Sequence, residues 1–269
     1  MESITSVNNP QVKAVASLKT KKHRTEAGAF LAEGLRSVRE AITYGQVRSL
    51  FVTDAEADRL GDWLDKALSQ GASLYRVDDK VMAKLSDTKT PQGVVAVVSL
   101  PSPSLDTLAP DPEDADAPVV ILDRVQDPGN LGTIIRTADA AGVRALLLLE
   151  GCADAYAPKV VRASMGSLFH VPVLSDLAPE DVLSWCSRQG YRTVATCLDG
   201  ARDLYRTTLP GRLAFLLGNE ANGVAPALQQ AADERVFIPM AGKAESMNVA
   251  MAAGILLFEA FRRRRYGQV

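Results

Sequence analysis

From Val119 onward, short apolar runs alternate along the chain with helix-forming stretches. The predicted strands are Val119–Leu122, Ala145–Leu149, Tyr191–Thr196, Leu213–Leu217 and Arg235–Ile238. The predicted helices are Leu131–Ala141, Pro158–Met165, Pro179–Gln189, Pro226–Ala232 and Ser246–Arg265. Strands that alternate with helices are typical of a parallel sheet covered on both faces, so this half is predicted to be an α/β domain.

Residues 1–100 show the pattern of a second, smaller α/β domain. Apolar residues at near-helical spacing predict one helix that ends at Gly45, and they are Phe30, Leu31, Leu35, Val38 and Ile42. Further along, the sequence predicts a strand at Ser49–Thr53, a helix at Ala55–Gln70 and a buried strand at Val94–Leu100.

The segment between these two patterns differs from both in composition. Residues 101–118 contain five prolines and five acidic residues, and they contain no lysine or arginine. Proline stiffens a chain and like charges extend it, so the segment is interpreted as a linker. We therefore predict a first domain at 1–100, a linker at 101–117 and a second domain at 118–269.

Composition favours a folded protein of a reducing compartment. Hydrophobic residues make up 47% of the 269 residues, which is ample apolar surface for a core. The three cysteines are odd in number and widely spaced, which predicts free thiols and a cytoplasmic location. The longest apolar stretch, Val249–Phe261, is shorter than the roughly 20 residues that a membrane span needs, so no membrane partner is expected. Only two histidines occur, which excludes a histidine-rich metal site.

Charge points to a nucleic-acid partner only locally. The formal net charge is −2, yet residues 1–50 carry eight basic side chains against four acidic ones. A basic run at Lys19, Lys21, Lys22 and Arg24 suits contacts to phosphate groups, which supply most sequence-independent affinity for nucleic acid. The alternative for this run is a plain solvated face.

Three polar, glycine-bearing segments each follow a predicted strand of the second half. They are Asp127–Ala138, Leu217–Gly223 and Ile238–Ala250. In open α/β sheets, ligands bind beyond the carboxyl ends of the strands, so these segments are candidates for one site. Gly129 and Gly132 permit a close approach of backbone to a ligand, and Arg136 lies one helical turn further on, where it is suited to a phosphate.

Each of these features also has a simpler explanation when taken alone. Ser246 and Asn248 suit the cap of the last helix. Arg136 alone suits a solvated helix position, and the glycines suit ordinary turns. His170 suits a structural role. The common nucleotide and hydrolase motifs GxGxxG, GxxxxGK[ST], HExxH and GxSxG do not occur. The three segments together, in one domain, still favour a ligand site.

In this order and spacing, the three segments resemble the signature motifs of the SpoU (TrmH-like) RNA ribose methyltransferases of the SPOUT superfamily. The first motif is similar to Asp127–Gly132 with Arg136–Ala138, the second to Leu217–Gly223, and the third to Ile238–Met240 with Glu245–Ala250. The resemblance covers roughly residues 119–265. The first domain resembles the family's substrate-binding domain through Phe30–Gly34.

This resemblance implies a fold, a reaction and an assembly. The parallel sheet would end in a C-terminal trefoil knot that forms an S-adenosylmethionine pocket, and the protein would be a homodimer with its active sites at the interface. The reaction implied is methylation of a ribose 2′-hydroxyl in RNA, with rRNA favoured over tRNA. The alternatives are an RNA-binding ribosome-assembly factor without catalysis and a nucleotide-dependent oxidoreductase, which the absent glycine fingerprint disfavours.

The resemblance also assigns roles to individual residues. The implied catalytic set is Arg136, Asn130, Glu220, Ser246 and Asn248. The implied cofactor-binding set is Leu217, Gly218, Asn219, Glu220, Ile238, Met240, Ser246, Met247 and Asn248. A guanidinium is almost always protonated, so Arg136 is interpreted as a phosphate clamp with a general base as the alternative. No metal is required, because the methyl donor is activated by its own positive charge.

Overall fold

The computed structural model describes residues 2–108 and 115–267 of the chain. The residues fall into two compact units. Unit 1 is formed by Met1–Pro101 and Asp154–His170, and unit 2 by Ser102–Ala153 and Val171–Val269. The predicted division placed all of 118–269 in one domain, whereas the segment 154–170 packs within unit 1; the predicted boundaries themselves stay a prediction.

Unit 1 is built on a five-stranded mixed sheet. Its strands are β1 (Glu2–Ile4), β2 (Ala29–Glu33), β3 (Val47–Val52), β4 (Ser73–Val77) and β5 (Val94–Ser99), in the order β1-β4-β3-β5-β2. Its helices before residue 101 are α1 (Pro10–Ser17), α2 (Lys21–Ala27), α3 (Leu35–Tyr44), α4 (Asp54–Leu60), α5 (Asp62–Ser69) and α6 (Asp79–Leu85). β5 runs antiparallel to β2 and β3, and the other pairs are parallel.

Two helix predictions in unit 1 had the wrong bounds, although the helix that ends at Gly45 is confirmed as α3. Phe30 and Leu31 lie on β2, where they pair with Val98 and Val97, because sheet pairing outweighs a short helical pattern. The helix at Ala55–Gln70 is two helices, because Gly61 adopts a φ of +49° that only glycine tolerates easily.

Unit 2 is built on a seven-stranded, wholly parallel sheet. Its strands are β6 (Val119–Asp123), β7 (Ala145–Leu149), β8 (Val173–Leu177), β9 (Arg192–Thr196), β10 (Arg202–Asp203), β11 (Leu213–Gly218) and β12 (Glu234–Phe237). The helices after residue 127 are α7 (Pro128–Ala140), α8 (Pro158–Ala163, in unit 1), α9 (Pro179–Arg188), α10 (Pro226–Ala231) and α11 (Val249–Tyr266). The predicted α/β class with a parallel sheet is confirmed.

The strand order sets the position of the candidate site. The sheet runs β10-β12-β9-β11-β6-β7-β8, so β12, β9, β11 and β6 are consecutive neighbours. Because they are parallel, the loops that follow them converge at one edge. No helix in the described part of the chain is long and apolar enough to cross a membrane.

Candidate active site

Asp127 starts the first of the three segments and positions its central residue. It is the N-cap of α7, and its Oδ1 accepts a hydrogen bond from the backbone N–H of Asn130 at 2.8 Å. Pro128 occupies the first turn, where a missing N–H costs nothing. The local sequence therefore holds Asn130 at the amino end of the helix.

The second segment contains a tight turn, residues 219–223, which the side chain of Asn219 helps to close. Asn219 and Gly223 exchange two backbone hydrogen bonds of 3.1 and 2.8 Å. The Oδ1 of Asn219 also accepts from the backbone of Ala221 at 2.9 Å. A Cβ added at Gly218 would lie 1.9 Å from the carbonyl carbon of Gly223, so only glycine fits before this turn. The turn presents Glu220 at the edge of the sheet.

Asn248 links the third segment to the first. Its Oδ1 accepts from Ala250 and Met251 and caps α11, which confirms the capping role considered for it. Its Nδ2 donates to the Oδ1 of Asn130 at 2.9 Å, and the Nδ2 of Asn130 donates to the Oε1 of Glu220 at 3.0 Å. One chain of hydrogen bonds therefore joins all three segments.

Glu220 is held as an anion in this arrangement. Partial burial opposes its ionisation, but hydrogen bonds from the Asn130 side chain and from nearby backbone N–H groups outweigh burial and lower the pKa of the carboxyl. A carboxylate accepts hydrogen bonds and donates none. Glu220 thus orients the amide of Asn130 and does not act as an acid near neutral pH.

A cavity of about 370 Å³ lies beside this chain of hydrogen bonds. Eight residues of the predicted cofactor set line it: Leu217, Gly218, Asn219, Glu220, Ile238, Met240, Ser246 and Met247. Asn248 is not among the residues that line the cavity, and its side chain contacts Asn130. Among the described residues, no group of three or more histidines, cysteines or acids could hold a metal ion.

One wall of the cavity was missed by the sequence reasoning. It is formed by Thr196, the last residue of β9, and by Cys197, Leu198 and Asp199, which directly follow the strand. The predicted strand ended correctly at Thr196, so a fourth strand-end loop was visible in the sequence. It lacked the polar, glycine-bearing pattern of the other three until Gly200, and it was therefore passed over.

Arg136 takes no part in these hydrogen bonds. Its side chain is exposed on α7 and does not line the cavity. Within residues 2–108 and 115–267 it has no hydrogen-bond or ion-pair partner. The structure of one chain therefore leaves this guanidinium available to another molecule.

The basic run of unit 1 divides into exposed and buried side chains. Lys21 and Lys22 are exposed. Arg24 is only 4% exposed, pairs with Asp154 and donates to the carbonyl of Leu18 at 2.8 Å. Because that guanidinium is already paired and shielded from solvent, Arg24 is not available to bind a phosphate as predicted.

Lys19 is also partly engaged within unit 1. Its ammonium donates to the backbone carbonyls of Lys84 and Ser86, at 2.9 and 2.5 Å. Partial burial lowers the pKa of this ammonium, against the opposing effect of the nearby acids. Lys19 therefore has an internal role that the sequence did not indicate.

Comparison with known proteins decides the family. The model of the SpoU rRNA methylase family matches residues 117–258, more than half of the chain. The chain belongs to the SpoU rRNA methylase family. Residues 9–96 match the MRM3-like substrate binding domain, so the resemblance predicted for the first domain is also confirmed.

Relatives of this SpoU protein match it over nearly their whole length. The 23S rRNA (guanosine(2553)-2′-O)-methyltransferase RlmP of Bacillus subtilis is 36% identical and aligns over 96% of this chain and 98% of its own. The 23S rRNA (uridine(2479)-2′-O)-methyltransferase of Streptomyces viridochromogenes is 35% identical over 98% and 93%. The crystal structure of an AdoMet-bound rRNA methyltransferase from Sinorhizobium meliloti has a TM-score of 0.89, with 36% identity and 98% coverage of both chains.

Proposed function

We propose that this protein transfers the methyl group of S-adenosylmethionine to a ribose 2′-hydroxyl of rRNA. The observation that carries the proposal is the hydrogen-bonded chain from Asn248 through Asn130 to Glu220 beside the cavity. Family membership supports the reaction class, and the names of the full-length relatives support 23S rRNA as the substrate. Those names carry two different nucleotides, so the proposal leaves the base open.

The cavity suits this cofactor in size and chemistry. Its volume of about 370 Å³ lies within the range of small-molecule sites. Leu217, Ile238 and Met247 offer apolar surface for an adenine ring, and Glu220 and Glu245 offer negative charge to a cationic molecule. When bound, S-adenosylmethionine supplies a methyl carbon already activated by the positive charge on its sulfur.

The protein's own residues then have to hold the ribose and manage its proton. Asn130 is fixed at both ends of its amide, which suits it to orient a hydroxyl group. Arg136 is proposed to clamp an RNA phosphate, because its exposed guanidinium carries a positive charge in a planar fork. Ser246 lines the cavity and is proposed to contact the cofactor.

A homodimer is part of the same proposal. α11 exposes Met251 at 64% and Phe258 at 47%, one heptad apart on the same face. Large apolar side chains on one helical face favour burial against a partner. The C-terminal trefoil knot and a cytoplasmic location, where ribosomes are made, complete the proposal.

Ribose methylation can be mapped across 23S rRNA from cells with and without the gene, and the RNA lacking the mark can be methylated in vitro. We expect one 2′-O-methyl group to be lost in the cells and restored by the purified protein with S-adenosylmethionine. Asn130→Asp should abolish the reaction, because a second carboxylate would face Glu220. The exposed Asn8→Asp serves as the matched control and should retain it. An unchanged map, together with no cofactor binding by calorimetry, would contradict the proposal.

A further inference from the structure

The turn that carries Glu220 continues to Ala225, and this segment, residues 219–225, is held in place by a residue outside the three motifs. Asp123 is the last residue of β6, and its side chain is 6% exposed. Its Oδ2 accepts a hydrogen bond of 2.7 Å from the backbone N–H of Ala225, at the far end of the turn. The guanidinium of Arg124 donates to both carboxylate oxygens, at 2.7 and 3.0 Å.

Arg124 holds the near end of the same turn. Its carbonyl oxygen accepts a hydrogen bond of 2.9 Å from the Nδ2 of Asn219. To present that carbonyl, Arg124 adopts a φ of +55°, which is unfavourable for any residue with a Cβ. Gly151 makes room for its side chain, since a Cβ there would lie 3.1 Å from the Cγ of Arg124. Strain of this kind persists only where surrounding contacts enforce it.

Both anchors act on a wall of the cavity. Residues 219–223 all line it, and Glu220 in this turn accepts the hydrogen bond from Asn130. Asp123 and Arg124 contact the two ends of the turn, at Ala225 and Asn219. A change at either anchor would therefore move the cavity wall and the carboxylate together.

We infer that Asp123 and Arg124 are positioning residues for cofactor binding and methyl transfer, which hold the turn 219–225 in its binding conformation. This inference rests on the proposed function, since it concerns the same cavity. Neither residue touches the cavity itself, because neither is among its lining residues. Their effect passes through Ala225 and Asn219.

The inference is tested with Asp123→Ala and S-adenosylmethionine in calorimetry. We expect its dissociation constant to rise about tenfold or more, the size expected when a hydrogen bond to a charged group is lost. Asp123→Asn keeps an oxygen that can accept from Ala225, so it should recover part of that affinity. Single-turnover rates at saturating cofactor should fall in Asp123→Ala, because Glu220 is displaced as well.

The control is Asp233→Ala, at the amino-terminal ends of β9 and β12 in the same sheet. Its carboxylate accepts from the backbone and hydroxyl of Thr193, at 2.8 and 2.7 Å, near the start of β9. Loss of these bonds should lower the melting temperature and leave the dissociation constant unchanged. If Asp123→Ala behaves like this control, the role of Asp123 is purely structural and the inference is overturned.

Arg124 gives a second test in case Asp123→Ala does not fold. Arg124→Gly and Arg124→Ala both lose the ion pair and keep the carbonyl, but only glycine accepts the positive φ without strain. We expect Arg124→Gly to bind the cofactor more tightly than Arg124→Ala. Equal affinity of both variants and the wild type would overturn the inference. Failure of the wild type itself to bind would contradict the proposed function instead.

Discussion

Asn130 carries a donor and an acceptor on one amide, and the site uses both. Its Nδ2 donates to Glu220 and its Oδ1 accepts from Asn248. An aspartate would place a second negative charge beside Glu220, and a serine would be too short for both contacts. The amide also fixes which way each partner faces, because donor and acceptor cannot be exchanged. Asparagine therefore fits both hydrogen bonds at this position.

Arg136 gives the sharpest prediction at the residue scale. Arg136→Ala should lower the single-turnover methylation rate by at least about 100-fold, since positioning contributes effects of that size. Most of the RNA affinity should remain, because Arg136 lies outside unit 1, and the cofactor affinity should change little, because Arg136 does not line the cavity. Arg136→Lys should keep partial activity if the residue only clamps a phosphate. The control is Arg188→Ala, another exposed arginine of unit 2, and a normal rate for Arg136→Ala would refute the assignment.

Glu259 predicts how stability depends on pH. Hydrogen bonds from Arg262, assisted by Arg263 and opposed by burial, lower the pKa of this carboxyl from 4.5 to about 2. A carboxyl whose pKa is lowered by folding stabilises the native state above its ordinary pKa and loses that effect as pH falls through the folded value. The stabilisation should therefore disappear between pH 4.5 and about 2.

The variant Glu259→Gln isolates this effect. Its melting temperature should lie below that of the wild type at pH 6, and the difference should shrink as the pH falls towards 2. Arg263, which also binds the carbonyls of Leu204 and Thr207, would face a neutral amide in place of the carboxylate 2.6 Å away. Scanning calorimetry over this pH range is the measurement, and a constant difference at every pH would count against the prediction.

At the scale of elements, α2 separates two kinds of basic residue. Lys21 and Lys22 face solvent, while Arg24 faces the interior of unit 1 and pairs with Asp154. A seven-residue helix has one inner and one outer face, so a basic run along it cannot be uniformly exposed. The division between the faces predicts different effects of mutation.

Replacing Lys21 and Lys22 together by alanine should weaken RNA binding and flatten its salt dependence. Each contact between a lysine and a phosphate releases counterions from the RNA, so fewer contacts release fewer ions. The melting temperature should stay the same. Arg24→Ala should lower the melting temperature instead, since it leaves Asp154 without its partner. RNA titrations at several salt concentrations, with thermal unfolding of each variant, distinguish the two. Equal salt slopes for the wild type and the double variant would exclude Lys21 and Lys22 from the RNA contact.

At the scale of the whole molecule, the proposed dimer depends on the exposed face of α11. Phe258→Glu should give a monomer in analytical ultracentrifugation at micromolar concentration, because a charge cannot be buried there cheaply. Leu68→Glu, at an exposed apolar position of α5 in unit 1, is the control and should remain dimeric. A monomeric wild type would reject the dimer itself.

Unit 1 contains the segment 154–170 from the second half of the chain, so a fragment of that half alone should be unstable. α8 packs against β2 within unit 1, and Val160 and Val161 are buried there. A protein beginning at Pro118 would lack β2 and expose these side chains. We expect it to bind a hydrophobic dye strongly and to aggregate at concentrations where the full chain stays in solution. A monodisperse, dye-negative fragment with normal cofactor affinity would contradict this expectation.

The sequence by itself determined the features that depend on neighbours along the chain. The strands predicted at Val119–Leu122, Ala145–Leu149 and Leu213–Leu217 form, the first and last with one more residue each, because a strand buried on both faces must be continuously apolar. Asn248 caps a helix because the hydrogen bonds of a cap reach only two or three residues ahead. The three candidate loops were found for the same reason, since each directly follows such a strand.

Only the tertiary structure decided what these loops become together. The contacts of Asn130 with Glu220 and Asn248 span 90 and 118 residues, and the burial of Arg24 requires Asp154, 130 residues away. β8 was missed because it is an edge strand with Ser175 and Asp176 exposed, so it lacks an apolar run. Local patterns report local energies, whereas strand order, paired charges and shared cavities depend on which distant segments meet when the chain folds.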